Sequence, residues 1–66
     1  MKITLNGDPF ELTGTPTVSA LLAALDIDAR RVAVEHNLTV LKRHLFDRTT
    51  IQDGDEIEIV NFVGGG

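Results

Sequence analysis

The run Gly64-Gly65-Gly66 follows directly on the apolar, strand-like segment Ile57-Glu58-Ile59-Val60-Asn61-Phe62-Val63. Glycine usually supplies the positive φ of an internal turn. Here it reads instead as a slender tail. Three residues without Cβ form a thin, flexible rod that reaches roughly 10 Å when extended, at about 3.3–3.6 Å per residue. Such a rod can pass a narrow channel and present the carboxylate of Gly66 inside another protein's active site. The plainer alternative is a loose end or a remnant linker, since both are often rich in glycine. The rest of the chain favours the first reading.

Other residues with chemical potential are few. His36 and His44 stand eight apart across a turn and a strand, not at i, i+4 on one helix, and there is no cysteine to complete a zinc site. They read as surface histidines. Asp53 and Asp55 flank Gly54 and could suggest acid–base work or a cation site, but Asp-Gly-Asp is ordinary turn chemistry. No glycine-rich loop follows a strand and opens a helix, so no phosphate cradle is expected. The expectation is a protein with no metal site, no bound cofactor and no catalytic machinery of its own.

Sixty-six residues form one small domain, near the lower limit for a chain that folds on its own core. Ordering it costs on the order of 100 kcal/mol of conformational entropy, and without cysteine no disulfide offsets any of it. The absence of thiols also agrees with a reducing compartment, and any sulfur this protein handles cannot reside on its own side chains. Met1-Lys2-Ile3-Thr4-Leu5 passes at once into alternation rather than into a leader pattern, and no apolar run is long enough to cross a membrane. A cytoplasmic location is the expectation. Six basic residues against ten acidic ones leave a net charge of −4, which repels nucleic acid. Asp53, Asp55, Glu56 and Glu58 precede the last apolar stretch and either match a basic partner surface or form a solvated turn and strand face.

The elements that must position these residues follow from periodicity. Lys2-Ile3-Thr4-Leu5-Asn6 alternates and ends at Asn6-Gly7, a hairpin signal, and a second strand then places Phe10 and Leu12 on one face with Glu11 and Thr13 on the other. Gly14-Thr15-Pro16 breaks it. Thr17 reads as the N-cap of a helix from Val18 to Leu25, with Val18, Leu21, Leu22 and Leu25 forming one apolar stripe. Val32-Ala33-Val34-Glu35 is a third strand, with a turn around His36-Asn37-Leu38 and a short fourth strand at Thr39-Val40-Leu41. Lys42 to Thr50 is irregular, with a helical turn that buries Leu45 or Phe46. Asp53-Gly54 makes the last tight turn, and Glu56 to Val63 forms the final strand. A mixed four- or five-stranded sheet with one helix across it buries the stripe. This is an α+β fold of the β-grasp, ubiquitin-like kind, with residues 1–63 as the domain and 64–66 as its tail.

If Ile57 and Ile59 face the helix, alternation puts Glu58, Val60 and Phe62 on the opposite face. Exposed valine and phenylalanine beside the tail have no folding rationale in so small a domain, and a partner surface supplies one. A bulge or overlying loop that buries them is the alternative.

The whole arrangement, together with Asp53-Gly54-Asp55-Glu56-Ile57-Glu58-Ile59-Val60-Asn61-Phe62-Val63-Gly64-Gly65-Gly66, resembles the ThiS family, the sulfur carriers of thiamine thiazole biosynthesis. Val32-Ala33-Val34-Glu35 and Asn37 are similar to that family's middle hairpin. Leu38 stands where the family often has glycine. Leu41, Lys42 and Phe46 stand where it often has a Pro-Arg pair and a tryptophan, so turn geometry and partner contacts are where this chain departs from the pattern.

The resemblance implies that the chain is a substrate rather than an enzyme, and a monomer when free. A ThiF-type enzyme would use Mg-ATP to adenylate the Gly66 carboxylate. Sulfur relayed from cysteine by a cysteine desulfurase as a persulfide would displace AMP and leave a thiocarboxylate, and a ThiG-type thiazole synthase would take that sulfur. Gly64 and Gly65 would let the backbone lie against the partner's channel walls, with Phe62, Val60 and Glu58 as the docking surface. The rivals are a MoaD-like carrier for molybdopterin or another sulfur-containing metabolite, a ubiquitin-type modifier of lysines, and a passive β-grasp interaction module.

Overall fold

A computed structural model describes residues 1–62. Its elements are β1 (Lys2–Leu5), β2 (Asp8–Glu11), α1 (Val18–Ala24), β3 (Val32–His36), β4 (Thr39–Leu41) and β5 (Glu56–Asn61), with single 3₁₀ turns at Ala29–Arg31 and Arg43–Leu45. The five strands form one sheet in the order β2-β1-β5-β3-β4. β1 runs parallel to β5 and all other neighbours are antiparallel. This is the expected mixed sheet, with the final strand at its centre; that strand is described to Asn61, and its expected end at Val63 lies outside the described residues.

Both hairpins turn on two residues with positive φ, Asn6 (50°) with Gly7 (85°), and Asn37 (52°) with Leu38 (69°). Two such residues in succession match the right-handed twist of the flanking strands. Asparagine tolerates this region and glycine is at ease there, whereas leucine is strained. The turn geometry therefore survives at Leu38 despite the missing glycine.

α1 is only seven residues long, too short to persist alone. Thr17 caps it as expected, its hydroxyl accepting from the Ala20 N–H at 3.1 Å. Two further first-turn donors are taken up by the irregular segment, Val18 N–H by the Thr49 carbonyl (3.0 Å) and Ser19 N–H by the Phe46 carbonyl (2.9 Å). That segment is thus the helix's N-terminal cap. The helix closes at Asp26, with φ of 60°.

The core consists of Ile3, Val18, Leu21, Leu22, Val32, Val34, Phe46, Ile51 and Ile57, each at most 4% exposed. Leu25 and Ile59 pack against its edge. Of the two residues expected under the 42–50 segment, Phe46 is buried and Leu45 only half-buried. Phe46 keeps an aromatic anchor there. No described helix is long and apolar enough to cross a membrane.

Candidate functional site

The helix covers one face of the sheet and leaves the other open. Register places Glu35 opposite both Val40 and Glu58, and Ala33 opposite Val60. Cross-strand partners share a face, so these residues and Phe62 lie on the open side with Glu58 and Val60. Phe62 continues the pairing one residue past β5, its N–H donating to the Arg31 carbonyl at 2.9 Å. Val60 is 57% and Phe62 55% exposed, and Glu58 is exposed. Among the described residues no bulge or loop buries them, and the three expected docking residues come together on one strip along β5 and the residue after it. Val40 (68%) and Leu38 (81%) extend the apolar surface toward the β3–β4 turn. Alternation within Thr39-Val40-Leu41 carries the signal for Val40. Leu38 lacks one, because its outward aim follows from the turn.

The acids divide into two groups. Glu35, Glu56 and Glu58, with Thr4, Gly7, Leu38 and Ile57, line an open depression of about 230 Å³ at the end of the sheet where both hairpin turns meet. This acidic hollow adjoins the apolar strip. Asp53 and Asp55 do not line that hollow; each accepts a backbone hydrogen bond at the turn before β5. Asp53 Oδ1 accepts from the Lys2 backbone N–H at 2.8 Å.

Asp55 accepts from the His36 Nε2–H (2.7 Å), the Asn37 side-chain amide (3.1 Å) and the Gln52 N–H (2.9 Å). Burial alone would raise its carboxyl. The Gln52 N–H, the His36 ring and the Asn37 amide outweigh burial and hold it below the usual carboxylate range. Asn37 completes the knot, its Oδ1 accepting from the Glu56 N–H at 2.8 Å. The histidine reading is therefore half corrected. His44 is exposed, whereas the His36 side chain is only 24% exposed and tied to Asp55. The pair fastens the β3–β4 turn to the start of β5. Both Asp55 oxygens are occupied by donors, and no cluster of metal ligands occurs among the described residues.

A second clasp sits further along β5. Asn6 donates its N–H to the Ile57 carbonyl (2.9 Å), and its Oδ1 accepts from the Ile59 N–H (2.7 Å). The backbone at Asn6 has already turned away, so the side-chain oxygen stands in for the next carbonyl of the β1 ladder. Gly64, Gly65 and Gly66, the expected tail and reacting terminus, lie outside the described residues.

The chain is thus a β-grasp domain with an open apolar strip on its last strand, next to an acidic hollow. Residues 3–66 match the ThiS family, and the chain belongs to that family of sulfur carriers of thiamine biosynthesis. It is 38% identical over 52 residues to the sulfur carrier protein ThiS of Bacillus subtilis, covering 79% of each chain. The crystal structure of the thiamine biosynthesis protein ThiS from Geobacter metallireducens superposes with a TM-score of 0.87 at 45% identity, covering all of both chains. The chain is also 42% identical over its full 66 residues to a thiazole synthase of Paramagnetospirillum magneticum, of whose length it spans 20%.

Proposed function

We propose that this chain carries sulfur for thiazole formation as a thiocarboxylate on Gly66, and that it docks on its enzymes through Glu58, Val60 and Phe62. One observation carries this reading: the exposed apolar strip lies on the strand that leads into Gly64-Gly65-Gly66. The likeness to a thiazole synthase favours thiazole over molybdopterin as the destination.

The chemistry needs an activating enzyme, because a free carboxylate is a poor acyl donor. A Gly66 carboxylate oxygen attacks the α-phosphorus of Mg-ATP and pyrophosphate leaves. The terminal sulfur of a persulfide attacks the acyl adenylate and AMP leaves. A thiol then cleaves the sulfur–sulfur bond, leaving the thiocarboxylate on Gly66 and a disulfide on the relay protein. Those thiols belong to the partners, since this chain has no cysteine. Glycine at the reacting end removes the Cβ that would obstruct the attacking sulfur. The thiocarboxylate then passes its sulfur to thiazole synthase, and the protein works in the compartment that holds these enzymes.

The test is intact mass after incubation with Mg-ATP, cysteine, a cysteine desulfurase and a ThiF-type enzyme. The expected result is replacement of one oxygen by sulfur, mapped to the C-terminal peptide and absent when Gly66 is deleted. An unchanged mass, with an activating enzyme proven on its own carrier, would overturn the reading.

A further inference from the structure

Backbone groups along β5 alternate between its two neighbours. Phe62 donates to the Arg31 carbonyl and Asn37 donates to the Glu56 carbonyl, so residues 56, 58, 60 and 62 direct their peptide groups to the β3 side. Ile57, Ile59 and Asn61 face the other way, toward β1. There the Ile57 carbonyl and the Ile59 N–H are taken by Asn6, where the chain turns away. The Ile59 carbonyl and both peptide groups of Asn61 meet no partner among the described residues. The central strand of the sheet thus becomes an open edge in its last stretch.

The other two edges differ. By the same alternation, the free side of β2 presents Pro9, which has no N–H, and the charged Glu11. The free side of β4 presents the peptide groups of Val40 alone. Only the β5 edge, among the described strands, offers consecutive donors and acceptors with neither a proline nor a charged side chain at the positions that face outward.

We propose that an extended segment of a partner protein adds to the sheet here, pairing its backbone with Ile59 and Asn61 on the side that β1 vacates. Its alternate side chains are apolar beside Val60 and Phe62, with a basic residue facing Glu58. Unpaired peptide groups in strand geometry call for another peptide strand. The acids Glu35, Glu56 and Glu58 beside it call for positive charge. A second copy fits poorly, since it would add its own net charge of −4. Pairing on both sides makes β5 an interior strand as far as Asn61 and fixes the direction in which the chain is delivered past Phe62. The inference rests on the carrier reading above and deepens it, naming how the partner grips the strand that leads to the reacting end.

The test uses the full 66-residue chain made by chemical synthesis, with and without an N-methyl group on the Asn61 amide. That change blocks the open edge and leaves the β3 pairing untouched. Affinity for a ThiF-type enzyme and Asn61 amide exchange are measured, with circular dichroism as the check on the fold. At least tenfold weaker binding of the methylated chain is expected, and at least tenfold slower Asn61 exchange when the unmodified chain is bound. If the unmodified chain binds but either effect is missing, docking uses the open face alone; the edge pairing is then wrong and the carrier reading stands. No binding of the unmodified chain overturns both. Self-association on sedimentation, abolished by the methyl group, would make a second copy the occupant and overturn the partner assignment.

Discussion

Leu38 holds a backbone conformation that costs an L side chain about 1–2 kcal/mol, and its side chain meets mostly solvent. Leu38→Gly is expected to raise stability by about 0.5–1 kcal/mol, after the greater freedom of unfolded glycine is set against the relief. That is a rise in Tm of roughly 2–8 °C for a chain this size. Weaker binding to the activating enzyme in the same variant would show that the strain is kept for docking; unchanged binding would show that it is not. Asp55 makes a prediction with a definite sign. Its folded carboxyl lies below the ordinary range, so its contribution is present above the unfolded value of about 3.9 and is lost as pH falls through the lower folded value. Asp55→Asn keeps the shape but loses the charge-assisted bonds, at a cost of about 1–2 kcal/mol near neutral pH. Urea unfolding from about pH 6 to pH 2 should therefore show a shallower acid loss in the variant than in the parent. Parallel acid profiles would remove Asp55 from the account. Asp28 is held down to about 2 by its side-chain bonds to Arg30, but it is exposed, and solvent screening makes it a minor partner in that loss.

β5 depends on two clasps at the scale of the element, and each is a polar side chain from a hairpin turn. Asn37 fastens its start and Asn6 fastens its middle. Asn6→Gly keeps the positive φ within easy reach and removes only the Oδ1 acceptor. The expected cost is about 1 kcal/mol, with faster amide exchange at Ile59 and little change at Val60, whose N–H is spent on β3. Equal acceleration at both amides would mean that Asn6 holds the hairpin rather than the strand. The Asn6-Gly7 hairpin was legible from two residues, because few others tolerate consecutive positive φ. The use of the Asn6 side chain as a rung of the parallel ladder was not, since it joins residues 53 apart.

For the whole molecule, stability of about 3–10 kcal/mol is expected from about 0.05–0.15 kcal/mol per residue. Phe46→Ala, at a buried site that also caps the helix, is expected to cost about 3–5 kcal/mol and to leave much of the chain unfolded at 37 °C. Phe62→Ala should cost under about 0.5 kcal/mol of stability yet weaken binding to the activating enzyme by about tenfold or more. Comparable losses in both measurements would place Phe62 in the core instead. Periodicity and turn chemistry in the sequence alone determined the hairpins, the helix with its Thr17 cap, the buried stripe and the outward row Glu58, Val60 and Phe62, because each is set by residues within a few positions of one another. Tertiary structure alone decided what depends on distant segments meeting. It drew Asp55 and His36 together and separated Asp53 and Asp55 from the free acids. It made the 42–50 segment the cap of α1, and it ended β1 early enough to leave β5 with an open edge. Those outcomes depend on strand order and register, which close over long loops and leave no local trace in the chain.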